Sequence, residues 1–171
     1  VKTDKGDAAR LAMMLAAGDY ISCHVPDRER REDRQVSRLH DQIKVDIVRQ
    51  KNRIRGFLKF NGLEGHLSPD RWTEKKYLSL RTLALSDPLR FTLHEQLDKL
   101  EYLIAQRKKV VTMLYELSRK ERYTDAVEIK MSIPGIGQLT AIKLTLEWGD
   151  LERFENGKKL ASYVGLTPSE H

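Results

Sequence analysis

Apolar residues recur along this chain at intervals of three and four, and nowhere in sustained alternation, so the pattern predicts helices throughout and no strand. A first helix is expected from Ala8, Leu11, Ala12, Leu15 and Ala16, with Asp4 or Asp7 placed to cap its start and Gly18 to end it. Val36, Leu39, Ile43, Ile47 and Ile54 then form a narrow apolar stripe between charges, which needs a partner helix to bury it. Asn61-Gly62 and Gly65 break that pattern, and Ser68-Pro69-Asp70 is expected to open a new helix whose apolar face is Trp72, Tyr77, Leu78 and the residues from Leu80 to Leu85. After Ser86-Asp87-Pro88, either Ser86 or Asp87 is placed to cap a long amphipathic helix traced by Leu93, Leu97, Leu100, Ile104, Val111, Leu114 and Leu117. Shorter helices are expected over Asp125–Met131, Gln138–Glu147 and Leu160–Val164, the last preceded by Asn156 and ended by Gly165. The chain thus divides at 1–26, 27–122 and 123–171: a short leading helix, a helical hairpin or coiled coil, and a small compact helical unit. The fold class is all-α.

Composition narrows the partners. The 171 residues are 40% hydrophobic, 33% charged and only 7% aromatic, with a mean hydropathy of −0.56, a balance that suits long solvated helices. The net charge of +6 and a pI near 9.4 favour polyanions, because Lys and Arg displace counterions condensed on phosphates. Many charges on the middle helices, among them Arg30, Arg31, Arg34, Lys108 and Lys109, read as a solvated face. A single cysteine, Cys23, excludes an internal disulfide framework and a Cys-based zinc site within one chain, and fits a reducing compartment. No apolar run approaches a membrane span, and the charged start has no signal-peptide character. Beginning at Val1 rather than Met, the sequence reads as starting inside a larger parent protein or as preceded by unseen leading residues.

Ile133-Pro134-Gly135-Ile136-Gly137 is the most specific local feature. Pro134 cannot continue the preceding helix, the glycines tolerate unusual backbone angles, and a new apolar-periodic helix follows at once. Ile133 and Ile136 are expected to plug into the helices on either side. This is the pattern of a helix-hairpin-helix, in which free amides at the second helix's N-terminus, aided by the helix dipole, bind a phosphate without reading the base. Gly135, Ile136 and Gly137 are the candidate contacts to a DNA backbone, and Lys143 adds a candidate charge. A tight turn between two packed helices gives the same sequence.

Asp4 and Asp7 stand at i and i+3, which puts both carboxylates on one helical face. Such a pair can share a magnesium ion with phosphate oxygens and water, or simply complement the helix dipole. Two acids leave a metal cage incomplete. Ser22, Cys23 and His24 are adjacent, and adjacent side chains rarely converge as nucleophile and base. His40, His66, His94 and His171 lack metal-ligand spacing. Trp72 and Trp148 read as core or interface residues.

The run Lys2-Thr3-Asp4-Lys5-Gly6-Asp7-Ala8 followed by Leu11 and Leu15-Ala16-Ala17-Gly18 resembles the K-T-D-x-x-D-A segment of the insertion-sequence "one-ten" transposases. The segment from Ile133 through Trp148-Gly149-Asp150 and Arg153-Phe154 to Leu160-Ala161-Ser162-Tyr163-Val164-Gly165-Leu166-Thr167-Pro168 resembles the start of that family's C-terminal region. The resemblance implies an RNase H-like, RuvC-like catalytic domain whose edge residues 1–26 would form, and an Asp-Glu-Asp-Asp set holding magnesium, with Asp4 and Asp7 as its last two catalytic, metal-binding members. It implies that the first Asp and the Glu precede Val1 and that the nucleophilic serine follows His171; Ser169 is not assigned that part. It further implies DNA as partner, an associated guide RNA, and a cytoplasmic bacterial setting. The expected function is a DNA transposase fragment acting in binding and assembly, inactive alone, with a dimer built through the helical middle. A non-enzymatic helix-hairpin-helix module, or a structural coiled-coil protein that oligomerises, fits the residue pattern too.

Overall fold

The computed structural model describes residues 3–19, 23–66 and 72–166, and among these residues every regular element is helical. The helices are α1 (Asp4–Ala17), α2 (Arg28–Phe60), α3 (Glu74–Arg81), α4 (Asp87–Ser118), α5 (Glu121–Met131), α6 (Gln138–Trp148) and α7 (Gly157–Tyr163), with a 3₁₀ turn at Glu64–His66.

The two long stripes meet each other within the chain. Helices α2 and α4 run antiparallel and bury Ile43, Ile47, Ile54 and Leu58 against Leu93, Leu97, Leu100 and Leu103. Val36 is only half-buried and Leu39 is exposed, because the buried positions at this end of α2 are taken by Asp33, Ser37 and His40. Gln50 is buried in the seam, and its side-chain amide donates to the Gln96 carbonyl at 3.0 Å, which fixes the register of the pair. Burial within one chain removes the need for a second copy to cover these stripes.

Helix α3 begins at Glu74, with the Thr73 hydroxyl accepting from the Lys76 amide. The expected start at Ser68-Pro69-Asp70 lies outside the described residues. The helix is short: Leu80 is buried on α4 while Leu78 is exposed, and Leu83 and Leu85 pack on the core from the connector. Ser86 holds the cap position of α4 without a side-chain hydrogen bond; Asp87 pairs instead with Arg90.

A second apolar cluster joins Leu114 and Leu117 of α4 to Tyr123 and Val127 of α5 and Ala141, Ile142 and Leu146 of α6. Helix α5 starts at Glu121, four residues before the expected Asp125, because Tyr123 is needed in this core. Asn156 caps α7, its side chain accepting from the Lys159 amide.

Helix α1 differs from the long helices in burying nothing: Leu11, Met13, Met14 and Leu15 are exposed. Its cap is neither aspartate but Thr3, whose hydroxyl accepts from the Gly6 amide. Gly18 ends it as expected.

Candidate nucleic-acid interface

The turn between α5 and α6 stands on the surface. Residues 131–135 and Gly137 are exposed, and only Ile136 of this stretch reaches the second core. Ile133, expected to plug inward, is 51% exposed, because the turn closes on its own hydrogen bond from the Ile136 amide to the Ile133 carbonyl at 3.1 Å. Gly135 has φ +90°, a backbone conformation that a Cβ disfavours, so glycine is required there to reverse the chain. Gly137 is different. Its φ of −85° and ψ of 168° suit any residue, and a Cβ built on it meets nothing within 4 Å. Glycine at 137 therefore leaves open space in front of the α6 N-terminus rather than relieving strain.

That N-terminus has no side-chain cap. The amides of residues 138–140 precede the first intrahelical bond, from Ala141 to the Gly137 carbonyl, and are those a helix leaves for an outside acceptor. Its orientation is set from behind: the Gln138 side chain donates to the Ser118 hydroxyl at 2.8 Å, and that hydroxyl donates to the Tyr115 carbonyl at 2.7 Å. Beside the turn a hollow is lined by Arg119, Thr124, Glu128, Met131 and Gln138. Arg119 is exposed and forms no ion pair among the described residues. No sequence pattern singles it out.

Lys143, one and a half turns further along α6, is already engaged. Its ammonium pairs with Asp41 of α2. Burial works to raise the Asp41 carboxyl, but the hydrogen bond and charge of Lys143, with those of His40, outweigh it and leave it below the ordinary range. His40 is itself buried. Its Nδ1 donates to Asp41 at 3.2 Å and its Nε2 accepts from Arg107 at 3.5 Å, the arrangement of a neutral imidazole. Burial, joined by the charges of Lys143 and Arg107, lowers its pKa despite Asp41.

The opposite end of α6 is clamped by arginines that look, in sequence, like part of a solvated face. Arg34 is only 12% exposed at its side chain, and its Nε donates to the Leu146 carbonyl at 2.6 Å while a second nitrogen donates to the Glu147 carbonyl. A cation thus satisfies the terminal carbonyls of α6 and complements its dipole. Arg30 lies against Gly149, where an added Cβ would sit 2.6 Å from its Nη1; with φ +71° as well, Gly149 admits only glycine. Asp33, buried at the start of α2, accepts from the Tyr123 hydroxyl at 2.9 Å. Burial first, then this acid, pushes the Tyr123 phenol up to about 12. Lys120 and Arg122 complete the junction on Asp27, Glu29 and Asp33.

Asp4 and Asp7 occupy the first turn of α1, exposed on one face, and form no ion pair among the described residues. Unneutralised, adjacent and acceptor-only, they fit part of the oxygen shell of a divalent cation. No group of three or more His, Cys, Asp or Glu that could hold a metal occurs among the described residues, so further ligands are needed. The acids and the turn are on separate supports: nothing in the hairpin or the small unit buries any residue of α1. Cys23 is free and exposed. Among the described residues no helix is long and apolar enough to cross a membrane.

Comparison with known proteins bears on both ends of the chain. A family model described as "Transposase IS116/IS110/IS902 family" matches residues 127–171, and a DEDD-type model described as "Transposase" matches residues 1–61. The chain is similar to a transposase for insertion sequence element IS1533 of Leptospira borgpetersenii, at 26% identity over 92% of this chain and 46% of that protein. It is similar to a transposase for insertion sequence element IS1111A of Coxiella burnetii, at 25% identity over 99% of this chain and 46% of that protein. A Sinorhizobium fredii protein that also bears the transposase name is 30% identical over 98% of this chain and 47% of its own length. The chain spans about half the length of these relatives. No solved structure matches it.

Proposed function

Because the chain belongs to the IS116/IS110/IS902 family of transposases, we propose that it is the helical part of a bacterial insertion-sequence recombinase and grips the DNA backbone through the α5–α6 turn. The exposed, uncapped N-terminus of α6 carries this reading: three outward amides and a positive helix end face open space kept clear by Gly137. A phosphate fits there by hydrogen bonding and charge, without base readout. Arg119 beside the turn supplies a cation. Lys143 contributes once its pair with Asp41 opens.

In the same reading, Asp4 and Asp7 are two members of a carboxylate set completed by other ligands, standing at the edge of an RNase H-like domain. Magnesium held by such a set supplies stabilisation of the attacking and leaving oxygens in phosphoryl transfer. The chain's own residues provide two exposed oxygen ligands on one helical face and nothing that fixes them by packing. A guide RNA and a second copy of the chain are further partners in this proposal, with the exposed apolar residues of α1 and the outer faces of α2 and α4 available to them.

The test is Gly137→Val. Its backbone angles suit valine and its surroundings have room, so the fold survives while the added side chain stands in front of the amides. DNA affinity measured by anisotropy on a mixed-sequence duplex is expected to fall at least about tenfold, the loss of roughly 1.4 kcal/mol. Unchanged affinity with an unchanged helical spectrum would reduce the turn to a packing device.

A further inference from the structure

Charge is distributed unevenly along the hairpin. Residues 27–41 hold five acids and five Arg residues, whereas residues 42–60 hold six basic side chains and one acid, and residues 102–115 hold three basic side chains and none that is acidic. The one acid of the basic stretch, Asp46, pairs with Arg49. The other basic residues are not scattered. Lys44 and Lys51 are seven residues apart and Lys51 and Arg55 four, which aligns them on one side of α2. Lys51 and Arg55 both approach the ring of Trp72, at 5.8 and 6.0 Å from its centroid. Arg107 reaches α2 at His40 and lines one hollow with Lys108, Ile104 and Val111. Through His40 and Asp41 this side of the hairpin continues to Lys143 on α6.

Lys51 has cations for neighbours. Burial lowers its pKa, and the positive charges of Arg55 and Arg107 lower it further. Lys51 and Arg107, close enough to act on each other across the two helices, present a field that attracts a polyanion. The α2 segment from Asp41 to Arg55 spans about 21 Å at 1.5 Å per residue. A straight ridge of that length suits a rod carrying roughly one charge per 1.7 Å of axis.

We propose that the ridge formed by Lys44, Lys51, Arg107 and Lys108 is a second, independent contact for the phosphodiester backbone of duplex DNA. It rests on the reading that this chain holds DNA at the α5–α6 turn, and extends the bound length along the hairpin. The Trp72 ring lies 5.8 Å from the Lys51 ammonium.

The experiment compares the salt dependence of binding for the full chain and for Lys44→Gln/Lys51→Gln/Lys108→Gln, using a duplex of about 30 base pairs and a structured RNA of similar length. Each phosphate left without its cation flattens the slope of log affinity against log salt by about 0.9, so the triple variant is expected to lose up to about 2.7 on DNA. The corresponding Lys→Arg triple keeps the slope. So does Arg53→Gln/Lys99→Gln, whose residues line a different hollow together with Glu95 and Asp98. An unchanged slope for the glutamine triple, with helicity retained, overturns the ridge while leaving the turn's role standing if Gly137→Val still weakens binding. A loss confined to the RNA also overturns it. Failure of the unaltered chain to bind DNA at low salt overturns the ridge and the underlying reading together.

Discussion

Helices α1 and α6 carry the two candidate chemistries of this chain, and they are held in opposite ways. α6 is fastened at both ends and along one side: Gln138 to Ser118, Lys143 to Asp41, Leu146 in the core, and its last carbonyls to Arg34. α1 presents Asp4 and Asp7 from a helix with no buried residue. Binding a phosphate at a helix end needs only that the end be positioned, and this chain positions it. Holding a metal in a reactive geometry needs carboxylates locked by their surroundings, and nothing among the described residues locks these two. In the proposed reading, grip and chemistry are therefore separable.

The most severe way to break the contrast is to empty the core beneath α6. Leu146→Ala removes a fully buried side chain and is expected to cost about 2–5 kcal/mol, read by denaturant unfolding, with DNA binding abolished alongside. The matching change on α1, Leu15→Ala, should leave stability within about 0.5 kcal/mol, since Leu15 is 67% exposed. Next, Arg34→Ala strips the terminal carbonyls of α6 of their partner and is expected to cost about 1–3 kcal/mol. A similar destabilisation from Arg31→Ala, on the same helix but exposed, would show that the clamp is not specific. Asp41→Asn is expected to raise DNA affinity a few-fold, because it releases Lys143 on the helix that carries the turn.

Acidification probes the joint between α6 and the hairpin. The buried His40 has a folded pKa below its ordinary 6.5. Below about pH 6.5 the unfolded chain takes up a proton that the folded chain refuses, so stability falls as pH drops from 7 toward 5. His40→Gln should flatten that decline; a fall of equal steepness would place its origin elsewhere. The smallest effect expected is that of Asp4→Asn with Asp7→Asn: stability and DNA affinity nearly unchanged, and no magnesium-dependent strand cleavage by either form of this chain. Clear turnover by the purified, unaltered chain would contradict the separation of grip from chemistry.

The helices were legible because burial of a stripe imposes a 3.6-residue period that survives in the sequence at Ile43, Ile47 and Ile54 and at Leu93, Leu97 and Leu100. The turn was legible because Pro134 and Gly135 are local requirements of chain reversal. Arg30 and Arg34 were not. A part-buried arginine that caps a helix more than a hundred residues away looks the same in sequence as a solvated one. Ile133 misled for a related reason: an apolar residue at a turn reads as an anchor, whereas Ile136 alone supplies it. The capping role expected of Asp4 or Asp7 belongs to Thr3, one residue earlier. Lys143 could be placed on a helix from its neighbours, but its pairing with Asp41 depends on how α6 crosses α2.

The arginine at the far end of α6 has a mechanical consequence. With Arg34 fixed to its last carbonyls and the turn at its first residue, α6 is a short strut between whatever pulls on the turn and the base of α2. Helix α2 has 33 residues and so extends about 50 Å. If the turn holds DNA as proposed, a pull there is borne by both long helices together, because α6 is bonded to α4 through Gln138 and to α2 through Lys143 and Arg34.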